Sequence, residues 1–151
     1  MSKIKTALIS VHDKDKLQTI LRVFRKYKIK IISSGGTFKK IKELGYQCIN
    51  LSEFTNFPEL LDGRVKTLHP KIHAGILSKK DNIKHTKEMR NLDFQKIDLV
   101  IVNFYPFEET IKKTNNFKKI IENIDIGGPT LVRAAAKNHD RVTIIYSKND
   151  Y

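Results

Sequence analysis

Apolar and polar residues run along this chain in blocks, and the blocks change period. Lys5 to Ser10 (KTALIS) is an apolar run of the length of a short buried strand, and a polar turn, HDKDK, follows it. From Lys16 to Tyr27, Leu17, Ile20, Leu21 and Phe24 recur at helical spacing. The unit then repeats. Ile29 to Ile32 is apolar and β-branched, Ser33 to Thr37 (SSGGT) carries turn residues, and Phe38, Ile41 and Leu44 mark a helix that Gly45 ends. Gln47 to Leu51 predicts a third strand, Leu99 to Asn103 a fourth bounded by Pro106, and Val142 to Tyr146 a fifth. Helical stretches are expected at Phe107 to Lys113, Phe117 to Asn123 and Thr130 to Lys137. Strands that alternate with helices predict an α/β fold, a mostly parallel sheet covered by helices.

The stretch from Ser52 to Lys80 fits this scheme poorly, because its periodicity is weak and it holds the polar-rich string DGRVKTLHPKIHAGIL. It is expected to be irregular, and long irregular segments inside compact domains are often functional. No internal repeat and no linker divides the chain, so residues 1–151 read as one domain. Sheets of this class bind ligands beyond the carboxyl ends of their strands. That singles out the turns SVHDK, SSGGT and NFYPF and, at a helix start, DIGGPT.

Composition narrows the class. With 40% hydrophobic and 30% charged residues, 7 Gly and 4 Pro, the chain is neither collagen-like, low-complexity nor wholly disordered. No apolar run approaches a membrane span, and the run ALIS near the start is too short for a signal-peptide core, so a cytoplasmic protein with no membrane partner is expected. The one cysteine, Cys48, rules out an internal disulfide and sits in an apolar stretch that implies burial. The 29 Lys+Arg against 16 Asp+Glu give a net charge of +13, which would suit a nucleic-acid binder. Pairs such as Lys39-Lys40, Lys79-Lys80 and Lys118-Lys119 are instead spread along the chain, and no aromatic-basic RNA motif occurs. A small anionic ligand is the better expectation, since a positive field concentrates phosphates near any cleft.

Three strings carry candidate chemistry. In SSGGT the glycines let backbone N–H groups approach an anion, while Ser34 and Thr37 add hydroxyls at the mouth of a helix whose dipole favours negative charge. Ser10 and Lys14 could close on it from the neighbouring strand end. DIGGPT starts a helix with Pro129 in its first turn, and Arg133 and Lys137 lie four residues apart on one face. DGRVKTLHP crowds Arg64, Lys66, Thr67 and His69 beside Asp62; if extended, Arg64 and Lys66 share a side, and such crowding would disfavour the charged form of a buried lysine. A metal site is not expected, because Pro70 separates His69 from His73 and no cysteine or further histidine lies near.

Together SVHDK, SSGGT, DGRVKTLHPKIHAGIL, VNFYPF and ENIDIGGPTLVRAAAKNH occur in the order of one family. From about Thr6 to Tyr151 the chain resembles the amino-terminal inosine monophosphate cyclohydrolase domain of the bifunctional purine-biosynthesis enzyme, whose other half is a carboxamide ribonucleotide transformylase. The resemblance implies a methylglyoxal-synthase-like fold and ring closure of a formamido-imidazole-carboxamide ribotide to inosine monophosphate with loss of water. It implies a purine ribotide as the small-molecule partner, no cofactor or metal, and a homodimer in the full-length protein. The family domain continues past Tyr151, so a domain truncated at its carboxyl end and lacking the transformylase half is expected.

Carried over residue by residue, the resemblance makes Ser10, Lys14, Ser34, Gly36 and Thr37 the phosphate-side candidates. It has Arg64 and Thr67 closing the nucleotide pocket, with Asn103 a further binding residue. His12 stands where the family usually has Ser, so an imidazole replaces a hydroxyl, which is closer to methylglyoxal synthase. Lys137, with backbone N–H groups near Ile126 and Gly127, is the candidate oxyanion stabiliser. Asp125 would accept or orient the amide proton, and Lys66 and Tyr105 would relay a proton to the departing oxygen. Methylglyoxal synthase and a non-catalytic nucleotide-binding module stay open as alternatives.

Overall fold

A computed structural model describes residues 3–151. Strand β1 (Thr6–Val11) is central, with β2 (Lys30–Ser33) and β3 (Ile49–Asn50) on one side and β4 (Leu99–Asn103) and β5 (Thr143–Ile145) on the other. The order is β3-β2-β1-β4-β5, and every pairing is parallel. Side chains alternate across the sheet as strand geometry requires. Ala7, Ile9 and Val11 point to one face, where they meet Leu17, Ile20, Leu21 and Phe24 of α1 (Leu17–Tyr27) and Ile41 of α2 (Gly35–Glu43). Leu8, Ile32, Val100 and Val102 point to the other. There they meet Phe54 of α3 (Leu51–Thr55), Ile72 and Ile76 of α4 (Pro70–Leu77), and Leu131, Ala134 and Ala135 of α8 (Gly127–Lys137). Three layers result, with apolar packing on both sheet faces, the arrangement that explains why the strands read as continuous apolar runs.

Several boundaries differ from the sequence reading. The third strand is only Ile49–Asn50, because Asn50 turns the chain into α3 by accepting a hydrogen bond from the Ser52 N–H at 3.0 Å. Both glycine turns lie inside helix starts: α2 begins at Gly35 and α8 at Gly127, each three residues before its expected first residue. The stretch Ser52 to Lys80, expected to be irregular, contains the end of α3, a 3₁₀ turn at Leu61–Gly63 and the two-turn helix α4. Eight residues are too few for a helical period to stand out, but His69 and Pro70 mark the start of α4: Nδ1 of His69 accepts from the Lys71 N–H at 3.1 Å, and Pro70 fills the first turn. Helix α5 (Ile83–Asn91) follows, then α6 (Phe107–Lys113) and α7 (Phe117–Glu122) between β4 and α8.

One buried charge ties the layers together. The Arg141 guanidinium donates to the carbonyls of Gly75 (2.6 Å), Ile76 (2.8 Å), Ser78 (2.8 Å) and Ile97 (3.1 Å) and to Asp98 Oδ1 at 3.2 Å. A cation thus sits on the carbonyl end of α4, where a helix favours it. Asn138 adds bonds to the carbonyls of Ile76 and Ser78. Cys48 is half-buried and its thiol is pushed up to about 12 by burial, against a smaller opposing pull from Lys42, so it is an unreactive packing residue. No helix among the described residues is long and apolar enough to cross a membrane.

Candidate active site

Because β2, β1 and β4 run parallel, their carboxyl ends open on one edge, and the chain reverses its direction of travel across the sheet between β1 and β4. A cavity of about 460 Å³ lies at that edge. Its wall includes Ser10, His12 and Lys14 after β1, Ser34 to Thr37 after β2, Asn103 and Tyr105 after β4, Gly63 to Thr67 except Val65, and Asp125 to Gly128 at the start of α8. Ile121 and Glu122 of α7 cover one side.

The α2 side is built for an anion. Ser34 is the N-cap and its side chain makes no capping bond, so the first N–H groups of α2 face the cavity without helical partners. Gly35 holds φ +53°, a left-handed backbone that glycine takes without strain. A Cβ on Gly35 would lie 3.7 Å from Lys66 Nζ, and one on Gly36 would lie 3.8 Å from Lys14 Nζ, which places both ammonium groups against this turn. Lys14 is steadied there by donating to the His12 carbonyl at 2.8 Å. The Thr37 hydroxyl is not available as a donor to a ligand: it donates to the Val11 carbonyl at 2.8 Å and accepts from the Val11 N–H at 3.3 Å, so Thr37 offers the cavity its backbone N–H.

Asn103 is also engaged with the protein. Its Oδ1 accepts from the N–H groups of His12 (2.6 Å) and Asp13 (3.0 Å), and its Nδ2 donates to the Asp13 carbonyl at 2.9 Å, so it shapes the loop that carries His12 and Lys14. His12 lies edge-on to Tyr105, with ring centroids 5.1 Å apart.

The opposite wall is the start of α8. Asp125 Oδ1 accepts from the Gly128 N–H at 2.8 Å, which fixes the carboxylate at the helix entrance and leaves the N–H of Gly127 directed outward. Gly127 is forced by close approach, since a Cβ there would stand 2.5 Å from Thr67 Oγ1. Thr67 is 4% exposed, so this contact locks the 61–69 loop onto α8. That loop is not extended: a 3₁₀ turn and an antiparallel bridge between Leu60 and Val65 shape it, and Arg64 and Lys66 reach the cavity by this folding, not by strand alternation. Arg64 pairs with Glu122 at 3.6 Å across the α7 side. His69 and His73 are held by backbone groups near α4 and lie outside the cavity wall.

Lys137 stands apart from the other candidates. It is the last residue of α8, ten residues beyond Gly127, which at a helical rise is about 15 Å from the cavity. It is exposed and lines no part of the wall, so within one chain it does not join Lys66, Asp125, Ile126 and Gly127. Its helix face could be read from the sequence, but not which end of the helix meets the ligand. Glu122 and Ile121 were missed for the converse reason: a short charged helix gives no signal that it folds over a distant loop.

The sequence is similar to known proteins over nearly its whole length. Bifunctional purine biosynthesis protein PurH of Caldicellulosiruptor saccharolyticus is 53% identical over 148 residues, 97% of this chain and 29% of that protein. PurH of Rhodospirillum rubrum is 51% identical over 98% of this chain and 28% of its own length, and that of Agrobacterium fabrum 46% identical over 99% and 28%. The chain thus spans less than a third of these curated relatives and matches their amino-terminal part. The crystal structure of ForH superposes with a TM-score of 0.84 at 27% identity, covering 97% of this chain and 74% of that one. The MGS-like domain model matches residues 16–130, a span from α1 into the start of α8 that takes in most of the cavity wall, and the chain belongs to the MGS-like domain family.

Proposed function

We propose that this domain closes the second ring of a purine ribotide, converting 5-formamido-imidazole-4-carboxamide ribotide to inosine monophosphate with loss of water. The observation that carries the reading is the pairing of two helix starts in one cavity: that of α2 with Lys14 beside Gly36, and that of α8 with Asp125 fixed at its entrance. The first suits a phosphate ester. The second suits a polar group that gains negative charge. Similarity to PurH proteins at about half identity supports the same reading.

The carboxamide nitrogen is a poor nucleophile and the formyl carbon a poor electrophile, because both are conjugated. Alignment must therefore supply much of the acceleration, and holding two groups in attack geometry is worth roughly 7–11 kcal/mol. With the phosphate on the α2 start and Lys14, and Arg64 and Thr67 beside the ribotide, the base lies toward α8. The amide nitrogen attacks the formyl carbon, a C–N bond forms, and the carbonyl π pair moves onto oxygen. The N–H groups of Ile126 and Gly127 receive that oxyanion. Lys137 of the same chain does not reach it. Asp125 takes the proton from the attacking nitrogen. Lys66 and Tyr105, both on the wall, relay two protons to the oxygen, the one Asp125 took and the one lost from the formamide nitrogen; the electron pair of that nitrogen forms the ring C=N bond as the C–O bond breaks and water leaves.

The test is to incubate the protein with the formamido ribotide and follow inosine monophosphate, with dihydroxyacetone phosphate as a second substrate. Inosine monophosphate should form, and Lys66→Ala should lower kcat by about 10²-fold and, because its ammonium also stands against the α2 turn, raise KM by a smaller factor. Methylglyoxal from the second substrate would replace the reading with methylglyoxal synthase; binding of the ribotide with neither product would leave a nucleotide-binding module.

A further inference from the structure

The reaction above makes no use of the last residues of the chain, yet they are fastened to the anion side of the cavity. Lys148 Nζ donates to Asp13 Oδ2 at 2.6 Å and to Asp15 Oδ2 at 3.1 Å. Lys16 Nζ reaches back to Asn149 Oδ1 at 3.3 Å. Tyr151 packs against the cluster beneath β1. The loop from His12 to Lys16 is therefore gripped twice: at its backbone by β4 and at its acidic side chains by the segment after β5.

Charge gives this grip a purpose. Lys14 is flanked by Asp13 and Asp15, and their two negative charges would oppose an anion arriving at Lys14. Lys148 engages both carboxylates at once and leaves the Lys14 ammonium, beside Gly36, as the charge that an anion meets. The hydrogen bond from Lys148 holds the Asp13 carboxyl below the usual carboxylate range, and the same bonds push Lys148 up, so both stay ionised at neutral pH. Lys148 itself lies outside the cavity wall.

We infer that Lys148 is a positioning residue for phosphate recognition, which orients the His12–Lys16 loop and neutralises Asp13 and Asp15 so that Lys14 can receive a phosphate monoester. This rests on the reading that the α2 start holds the ribotide phosphate. The test compares binding of inosine monophosphate and of inosine, which lacks the phosphate, to the wild-type protein and to Lys148→Met and Lys148→Arg, alongside ring-closure kinetics. Lys148→Met should weaken inosine monophosphate about fivefold, raise KM by the same factor with kcat unchanged, and leave inosine unaffected; Lys148→Arg should restore both. Unchanged binding of inosine monophosphate to Lys148→Met, an equal loss for inosine, or failure of Lys148→Arg to restore would overturn the inference. If wild-type protein bound inosine as tightly as inosine monophosphate, the phosphate reading itself would fall and this inference with it.

Discussion

Gly127 and Thr67 come from segments sixty residues apart, and the hydroxyl of one occupies the space a side chain on the other would need. Ala at position 127 must push Thr67 or the start of α8 aside. Overpacking of this kind costs about 1–3 kcal/mol, and here the displacement falls on the N–H groups assigned to the oxyanion. Gly127→Ala should therefore lower the denaturant midpoint and reduce kcat as well; a variant with wild-type kcat would show that the α8 start is not part of the reacting wall. At this scale the sequence was only partly legible. Lys14, Lys66 and Asp125 could be named from their strings, but the engagement of the Thr37 hydroxyl with Val11 and of Asn103 with the His12 loop could not, because a hydroxyl or amide beside a glycine turn reads the same whether it serves a ligand or its own backbone.

Helix α4 depends on a histidine cap, and that makes its stability depend on pH. Nδ1 of His69 must be unprotonated to accept from the Lys71 N–H, and burial, with a smaller effect from the Lys71 charge, holds its pKa below the ordinary 6.5. The folded state then binds this proton less readily than the unfolded state. The contribution is fully present above pH 6.5 and is lost as pH falls through the lowered value. Urea midpoints compared at about pH 7.5 and about pH 5 should fall on acidification, and His69→Asn, whose cap does not titrate in this range, should reduce that fall. An identical pH profile for the two proteins would remove the assignment. The long amphipathic elements, α1 above all, were legible because Leu17, Ile20, Leu21 and Phe24 mark one face over three turns. Helices α3 and α4 were not, since five and eight residues leave too few positions for a period and their signals lie in the caps at Asn50 and His69.

For the whole molecule, the alternation of strands and helices implied the layered sheet, and the sheet in turn set the edge on which the turns meet. What alternation could not convey is how the layers are fastened. Arg141, in a string that reads as a polar helix end, is the link between α4, β4 and the segment after α8. Its removal would take the charged donor from the carbonyls of Gly75, Ile76 and Ser78, leaving them only the Ile97 N–H and the Asn138 amide, and would leave Asp98 without its cation. Arg141→Met should cost about 3 kcal/mol or more of unfolding free energy, read from urea denaturation. A loss below about 1 kcal/mol would mean the network contributes little. The central claim, that one cavity holds the phosphate at α2 and the reacting atoms at α8, is tested most directly by the crystal structure of the protein with inosine monophosphate bound. The account predicts the phosphate oxygens within hydrogen-bond distance of the Gly36 and Thr37 N–H groups and Lys14 Nζ, with the purine ring against Asp125 to Gly127. A nucleotide seated elsewhere, or with its phosphate on α8 and its base on α2, would contradict it.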